Sequence, residues 1–379
     1  MRLLRAAAFL SAFDRFATAP MLVTIAAALG ASLQEVAWAA SLYYLLYGAM
    51  QPVWGILSDK LGRVRVIRLA LVGVLVPGLV SAFAPNLATL VVGRALAGGL
   101  FAAVIPASLV YIGDTVPMKL RQRALADQLA TSAVATALAT VAAGMAAYLG
   151  LWRVAFAVPV LVSTALGIFL LSRLPEPERE IGAGSLARLG IAARKPWAGL
   201  VVSLALIEGG VILGFLTYLA PALEYVGYSA AVSGLVVGLY GVATLGWTWL
   251  VKGVSERLGK HILLLIGGAL LALGYAAGAL EQNIIGISLA ACLVGGGFAF
   301  MHSTLQTWAT EVVPEARATV ISFFAAALFV GSGIATTAAA PLAEAGSFGT
   351  LFALAAAVAV PLALLAGFAR LRYDARKKV

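Results

Sequence analysis

The sequence predicts an all-α membrane protein whose twelve transmembrane helices form two pseudo-symmetric six-helix bundles. Composition is the first reason: 62% of the 379 residues are hydrophobic and only 11% are charged. A soluble domain keeps about half of its residues apolar because it needs a polar surface. The second reason is length, since spans of about 20 residues leave room for about a dozen crossings. The third is an internal repeat at a constant shift of 197 residues (59 to 256).

Apolar segments and basic residues together predict the spans and their orientation. With both termini in the cytoplasm, the inner side holds every lysine and arginine except Arg153 in an outer loop and Arg15 and Arg94 within spans. This asymmetry follows the positive-inside rule and predicts cytoplasmic termini. Frequent alanine and a preference for arginine over lysine favour a bacterial inner membrane. The predicted spans are 6–29, 36–57, 66–84, 87–112, 126–148, 153–172, 198–222, 231–251, 262–280, 284–307, 318–340 and 348–369.

A stretch rich in proline and charge divides the chain after the sixth span. We expect an N-terminal bundle over 1–173, a cytoplasmic linker over 174–196 with a short interfacial helix around 185–194, and a C-terminal bundle over 197–379. Three motifs recur in one register: 59–63 (DKLGR) as 256–260 (ERLGK), 98–102 (GGLFA) as 295–299 (GGGFA), and 114–117 (DTVP) as 311–314 (EVVP). Parallel six-span repeats place a binding site between the halves near mid-membrane.

The loop after predicted span 2 reads GILSDKLGRVR over residues 55–65. It resembles the signature of the major facilitator superfamily, G-x-x-x-D-[RK]-x-G-[RK]-x-[RK], and the match is complete. A glycine there lets a neighbouring helix approach closely, and the resemblance implies that an arginine pairs with an acid on span 4. The implied role is a conformational latch between the halves. In this sequence the latch comprises Gly55, Asp59, Gly62, Arg63, Arg65 and Asp114, with a degenerate copy at Glu256, Arg257, Gly259 and Lys260.

Three charged residues, Asp14, Arg15 and Arg94, are predicted inside the first-half spans. Residues 90–99 of span 4 resemble the superfamily's second motif, in which the arginine, here Arg94, is associated with proton coupling; its usual glutamine is Ala97 in this chain. An arginine within a span is costly unless it is paired, and Asp14 of span 1 is the expected partner. Similar aspartates occur in twelve-span drug:proton antiporters. Arg15 points about 100° away from Asp14, so one of the two is free to contact substrate.

The second half contributes one buried acid, Glu208 in span 7, one turn from the repeat equivalent of Asp14. We expect it to face Asp14 across the cavity between the halves and to take part in proton coupling. No lysine or arginine falls within spans 7–12, so we expect its partner to come from the first half, the substrate or a proton. Further candidates for contact with substrate are Tyr43, Tyr47, Gln51, Tyr218, Tyr240, His302 and Gln306.

The predicted function is proton-coupled efflux of small lipophilic, cationic or neutral compounds by a monomer, with the bilayer, a proton and a small molecule as partners. Span 5 departs from the antiporters that it resembles: small residues persist at Thr136, Thr140 and Gly144, but the Gly-Pro kink is missing. Proton-linked uptake of a small organic anion, held by Arg15 and Arg94, is the alternative. A non-transporting membrane sensor or assembly protein is a third hypothesis.

Other classes of function lack their sequence features. Residues 253–261 only approach a phosphate-binding loop, with one residue too many and His261 where serine or threonine is required. Two histidines cannot build a histidine-rich metal site, and the dispersed basic residues form no nucleic-acid-binding platform. We therefore expect no enzyme activity, metal, cofactor or nucleic acid, and transport that is driven by a gradient.

Overall fold

The computed structural model describes residues 1–170, 173–177, 190 and 194–376, and within these residues twelve long helices confirm the all-α fold. Several contain a short 3₁₀ or π turn and continue past it. In chain order they are α1 Arg2–Leu29, α2 Leu33–Leu61, α3 Arg63–Ala82, α4 Leu87–Thr115, α5 Met118–Tyr148, α6 Trp152–Phe169, α7 Pro196–Tyr225, α8 Ala230–Val254, α9 Lys260–Leu280, α10 Ile284–Glu311, α11 Pro314–Glu344 and α12 Phe348–Arg376. The predicted interfacial helix over 185–194 falls mostly outside the described residues.

Helix α2 carries a polar face in the middle of its length. Eleven helices of the described chain are long and apolar enough to cross a membrane, and α2 is the twelfth. Tyr43, Tyr47 and Gln51 lie four residues apart and so share one face of α2, and each is at most 3% exposed. Because this polar face is turned into the protein and not toward lipid, α2 can cross the bilayer with the rest.

The helices extend beyond the apolar segments that the sequence predicts. Helix α5 begins at Met118 instead of near residue 126, and α12 continues to Arg376. Hydropathy marks only the part of a helix within the hydrocarbon, about 30 Å thick, whereas backbone hydrogen bonds continue into the polar ends. Helix α2 starts with a capping box, in which Ser32 Oγ accepts from Glu35 N at 3.1 Å and Glu35 Oε2 accepts from Ser32 N at 2.8 Å.

Contacts within the two halves repeat with the shift found in the sequence. In the first half Arg63 of α3 pairs with Asp114 of α4. In the second half Lys260 of α9 pairs with Glu311 of α10, and both partners are displaced by 197 residues (63 to 260, 114 to 311). A side chain at Gly98 would meet the carbonyl of Tyr43, and one at Gly295 would meet that of Tyr240, again 197 residues apart (98 to 295, 43 to 240). The repeat therefore extends to helix contacts.

The two halves meet through α2 against α11 and α5 against α8. Ser41 Oγ donates to the carbonyl of Gly333 at 2.8 Å and lies 2.5 Å from the Thr337 hydroxyl. At the start of α2, Gln34 N donates to Glu344 at the end of α11, with an N–O distance of 3.1 Å. Because consecutive helices run in opposite directions, these contacts lie on the side opposite the termini. The halves are thus joined on the side opposite Arg2 and Arg376.

Glycines allow the second pair of helices to approach closely on that same side. A Cβ at Gly144 of α5 would lie 2.5 Å from the carbonyl oxygen of Ala230 in α8. A Cβ at Gly234 of α8 would collide with the carbonyl of Thr140. The row of small residues predicted in span 5 therefore packs against a glycine-rich face of α8, where the absence of side chains lets the backbones touch.

Candidate functional site

An ion pair between Asp14 of α1 and Arg94 of α4 lies in the interior of the first half. Arg94 Nη1 donates to Asp14 Oδ1 at 3.0 Å, and Nη2 donates to the backbone carbonyl of Asp14, also at 3.0 Å. Both side chains are 0% exposed. The guanidinium carbon lies 4.5 Å from the ring centroid of Tyr43 and 4.6 Å from that of Phe156. The two rings and the carboxylate together compensate a charge that would otherwise be costly inside a membrane.

Local features of three helices make this arrangement possible. Helix α1 is regular through Asp14 to Ala17, and a 3₁₀ turn follows at Ala19–Met21, where Pro20 lacks a backbone donor. Helix α4 comes close to α2 because Gly98 has no side chain to meet the Tyr43 carbonyl. This close approach brings the Tyr43 ring over Arg94, one turn away on α4.

Glu208 of α7 pairs with His302 of α10, which the sequence analysis did not foresee. The distance from His302 Nδ1 to Glu208 Oε2 is 3.3 Å; Glu208 is fully buried and His302 is 14% exposed. The expectation that the partner of Glu208 would come from the first half, the substrate or a proton is therefore wrong. The imidazole also stacks on Phe298, with ring centroids 4.6 Å apart.

Irregular turns lie next to both members of this second pair. A π turn occupies Gly210–Gly214 of α7, directly after Glu208, and another occupies Phe298–His302 of α10. A π turn shifts the angular position of the side chains that follow it, and such turns are frequent at functional sites. Glu208 precedes its turn, whereas His302 is the last residue of the turn in α10, so the direction of the His302 side chain depends on that turn.

Each buried carboxylate leaves one oxygen without a partner. Asp14 Oδ2 and Glu208 Oε1 are both buried and accept no hydrogen bond from the described residues. A buried polar atom in this state is destabilising unless it gains a partner, and a bound proton is one such partner. The hydrogen bonds and ion pairs of Asp14 and of Glu208 each stay within their own half. Each acid is thus paired within its own half, and that the two face each other across the cavity stays a prediction.

Arg15 lies beside the Asp14–Arg94 pair but is directed between the halves. Its guanidinium carbon is 5.2 Å from the ring centroid of Phe16, 5.3 Å from that of Tyr47 and 5.1 Å from that of Phe329. Phe329 belongs to α11 and the other two rings to α1 and α2, so both halves contribute. Tyr240 of α8 lies within electrostatic reach of Arg15 and of Glu208.

The remaining predicted substrate contacts have different environments. Tyr47 packs against Phe329 across the interface, with ring centroids 4.3 Å apart. Gln306 is half-buried on the same face of α10 as His302, four residues away. Tyr218 is fully buried and donates its hydroxyl hydrogen to the carbonyl of Thr336, which ties α7 to α11. Tyr47 thus lies at the interface next to Arg15, whereas the Tyr218 hydroxyl is occupied by a packing contact within the second half.

The predicted latch of the first half forms a compact polar cluster at the terminal side. Arg63 Nη1 donates to Asp59 at 2.6 Å, and Arg63 Nε donates to Asp114 at 3.4 Å. Gly55 faces α11, since a Cβ there would lie 3.9 Å from Ser322 Oγ. The carboxylate of Asp59 is bonded to Arg63 in its own half and 56% exposed.

A linker residue that the sequence analysis missed completes this cluster. Glu176 accepts hydrogen bonds from the backbone N–H groups of Val64 and Arg65, at 3.2 and 3.1 Å, and so caps the start of α3. Gly62 has φ of 109°, and a side chain there would collide with this carboxylate. An acid close to a helix N-terminus is stabilised by the exposed N–H groups. The Pro-Glu-Pro pattern was the available signal, since it holds Glu176 in an extended segment near the loop.

The second copy of the latch is organised around Glu311. Its carboxylate pairs with Lys260 and, at 2.9 Å, with Arg370 of α12, which also pairs with Asp374 at 2.9 Å. The predicted Glu256 and Arg257 are both exposed, and Gly259 precedes α9. By the same shift of 197, Arg370 corresponds to Arg173 and Asp374 to Pro177 (370 to 173, 374 to 177), so the acid that pairs with Arg370 in its own helix has no acidic equivalent in the first half.

Comparison with known proteins bears directly on this architecture. A family model described as the Major Facilitator Superfamily matches residues 5–336, which is most of the chain. The chain belongs to the major facilitator superfamily. Members of this superfamily are transporters, so the protein is a transporter and not an enzyme.

Relatives within the superfamily include multidrug efflux proteins. A multi-drug resistance efflux pump PmrA homolog of Lactococcus lactis is 27% identical over 285 residues, covering 73% of this chain and 70% of that protein. A probable multidrug-efflux transporter of Mycobacterium tuberculosis is 28% identical over 367 residues, and the match covers 86% of this chain and 75% of that protein.

Solved structures of the superfamily share the fold at low sequence identity. The nucleoside transporter NupG has a TM-score of 0.77 at 14% identity, and the match covers 98% of this chain and 100% of that chain. The E. coli xylose transporter XylE, in a partially occluded inward-open conformation, has a TM-score of 0.74 at 16% identity, covering 96% and 95%. At these identities the likeness concerns the fold alone.

Proposed function

We propose that this protein exports small lipophilic compounds in exchange for protons by alternating access. The observation that carries the proposal is the presence of two fully buried carboxylates, Asp14 and Glu208, each with one oxygen unpartnered and the other bonded to a basic group. Such a group can bind a proton when its basic partner is drawn away, and can release the proton when the partner returns. The efflux proteins among its relatives favour export as the direction.

Two proton-binding pairs, one in each half, provide the coupling. Proton binding to Asp14 would weaken its attraction to Arg94, and proton binding to Glu208 would weaken its contact with His302. Neither carboxylate is accessible in the described conformation, because both are 0% exposed. Proton exchange therefore requires movement of the halves, 1–173 and 197–379, and this requirement links protonation to conformation.

The latch residues support an assignment of the described conformation to one state of the transport cycle. The hydrogen bonds between α2 and α11 lie on the side opposite the termini, whereas near the termini Gly55 approaches Ser322 at van der Waals distance and Asp59 is bonded within its own half. We infer that this arrangement corresponds to a state open toward the termini. In the opposite state Asp59 would approach the start of α11, where exposed N–H groups attract an acid.

The basic residues support the proposed placement in the cell. Lysines and arginines concentrate at the ends of helices on the side of the termini, and cytoplasmic loops carry this excess. We propose that the protein is a monomer in the cell inner membrane with both termini in the cytoplasm. Compounds would then enter from the cytoplasm and leave on the opposite side.

Proton-linked uptake of a small organic anion is the second candidate function. Arg15 supports it, because a cation without a carboxylate partner between the halves is suited to an anion. Arg94 supports it less, since it is bonded to Asp14. Export and uptake differ in the direction in which a proton gradient drives the compound.

Flux in proteoliposomes tests the proposed function. The probes are rhodamine 123, a lipophilic cation, and rhodamine 110, which has the same ring system and a free carboxylate. With an acidic lumen, proton exchange should drive accumulation inside, and reversing the gradient should abolish it; protein-free liposomes give the background. Asp14→Asn and Glu208→Gln should each reduce accumulation to background. Full activity of both variants would rule out the coupling scheme, and accumulation driven only by external acid would favour uptake.

A further inference from the structure

We propose that Arg15 binds an acidic group of the transported compound, so that the substrates are lipophilic acids and not lipophilic cations. This inference rests on the proposed function and describes its binding site in more detail. It replaces the cationic substrates that were expected from the sequence. Three properties of Arg15 carry it: its partners, the hydrogen bonds that it can still make and the surface around it.

The partners of Arg15 distinguish it from the other arginine inside the first-half spans. Arg94 has the carboxylate of Asp14, whereas Arg15 contacts three aromatic rings and forms no ion pair with the described residues. Its Nε is buried and without a hydrogen-bond partner. Arg15 thus places between the halves a positive charge that no acid of the described residues pairs with.

Aromatic rings compensate this charge only partly. They attract the cation through their faces, but they do not satisfy the planar array of five N–H donors that a guanidinium carries. A carboxylate, sulfonate or phosphate ester accepts two of these hydrogen bonds in parallel. The unsatisfied donors therefore match a bidentate oxyanion, which a ligand with only cationic groups does not offer.

The surface around Arg15 indicates the rest of the ligand. Phe16, Tyr47, Phe329 and Tyr240 are each at most 7% exposed and provide flat, largely apolar walls. Phe16 and Tyr240 pack across the interface with ring centroids 6.1 Å apart. A compound with an apolar or aromatic body and one acidic group fits both features. Because the rings come from both halves, separation of the halves would dismantle the site and release the ligand.

Binding to the purified protein in detergent tests this inference through two dyes that differ at one group. Rhodamine 110 has a free carboxylate, and rhodamine 123 is its methyl ester. Fluorescence anisotropy should give the wild type an affinity for rhodamine 110 at least about tenfold higher than for rhodamine 123. Arg15→Gln should abolish the preference, and Arg15→Lys should retain part of it because the charge remains while the planar fork is lost.

Two controls separate a specific effect from a loss of structure. Arg372 is exposed and stacks on Phe368 at the end of α12, so Arg372→Gln should leave both affinities unchanged. Thermal unfolding of each variant shows whether the fold is kept. The inference is overturned by equal affinities for the two dyes, by a dissociation constant for rhodamine 110 above about 1 mM, or by a preference that survives in folded Arg15→Gln.

The inference and the proposed function can fail separately. If rhodamine 123 is transported by a proton gradient and the carboxylate gives no preference, exchange with protons holds and the substrate class is wrong. If rhodamine 110 binds through Arg15 but neither dye moves in response to a proton gradient, the site is an anion site and the transport scheme is wrong.

Discussion

Asp14 and Arg94 are a buried ion pair whose members depend strongly on each other. Removing both from water has a large desolvation penalty, which the mutual attraction offsets only in good geometry. The two 3.0 Å hydrogen bonds and the Tyr43 and Phe156 rings provide that geometry. Removing one partner leaves a buried charge, whereas removing both leaves none.

A double-mutant cycle on this pair separates folding from coupling. Asp14→Asn leaves Arg94 unpaired and should lower the free energy of unfolding by about 3–5 kcal/mol. The double variant Asp14→Asn with Arg94→Gln should recover most of this loss, because no buried charge remains, and should still lack proton-driven transport. Thermal unfolding and flux of each variant measure the two effects.

The matched control is the Arg5–Asp127 pair, which joins α1 to α5 as the buried pair joins α1 to α4. Its side chains are 37% and 45% exposed, and exposed pairs contribute about 0–1 kcal/mol. Asp127→Asn should therefore change unfolding little. Recovery of coupled transport in the double variant would contradict the role assigned to Asp14.

Sequence reasoning reached the first pair but not the second. Asp14 and Arg94 could be paired in advance because they lie at similar depth in the first-half spans and an unpaired arginine there is costly. Glu208 and His302 could not, since His302 ends the π turn at Phe298–His302, which changes the direction of its side chain from that of a regular helix. Glu176 was missed because its function depends on where the linker folds back onto α3.

At the scale of helices, small residues determine how closely α5 and α8 approach each other. Gly144 meets Ala230, and Gly234 meets Thr140, at backbone-to-backbone contact. Helix α5 lacks the Gly-Pro kink of the antiporters that it resembles. A row of small residues nevertheless persists at Thr136, Thr140 and Gly144. Close packing between the halves therefore does not require the kink.

A bulky residue at this contact should oppose the described conformation. Gly234→Leu would force α5 and α8 apart, with a penalty of about 1–3 kcal/mol that falls on this packed state alone. With Cys292→Ser as background, spin labels at Leu149 and Leu280, both exposed on the side opposite the termini, should move apart by several ångströms. The transport rate of Gly234→Leu should also fall, since the transport cycle must pass through the conformation in which α5 and α8 are packed.

The control is a glycine on the same helix. A Cβ at Gly246 would meet nothing within 4 Å, so Gly246→Leu should leave the label distance unchanged. An unchanged distance in folded Gly234→Leu would contradict the importance of this contact for holding the halves together.

The length of the apolar segments predicted the number and position of the helices, but not where the helices end or where they contain irregular turns. All twelve spans were placed, because burying backbone in lipid requires helices of about 20 apolar residues. The eight extra residues at the start of α5 (118 against 126) were missed. These polar turns lie beyond the hydrocarbon, where hydropathy carries no signal.

At the scale of the molecule, one repeat unit has been used twice with different chemistry. The latch pair recurs as Arg63–Asp114 and Lys260–Glu311, whereas the buried acids do not coincide: the equivalent of Asp14 is Val211 and that of Glu208 is Ser11, by the same shift of 197 (14 to 211, 11 to 208). The sequence predicted the repeat but not which side is closed. Alternating access needs two conformations of one chain that typically differ by only a few kcal/mol, so a sequence pattern does not select between them.

The central claim is that a proton and a compound move in opposite directions, and proton movement driven by the compound tests it most directly. Proteoliposomes containing the pH dye pyranine, with no pH gradient and with potassium and valinomycin holding the membrane potential at zero, receive rhodamine 110 or, in parallel, rhodamine 123 outside. As dye enters, the lumen should become alkaline, and Asp14→Asn should abolish the change. Acidification of the lumen, or dye entry through the protein without any change in pH, would contradict the account.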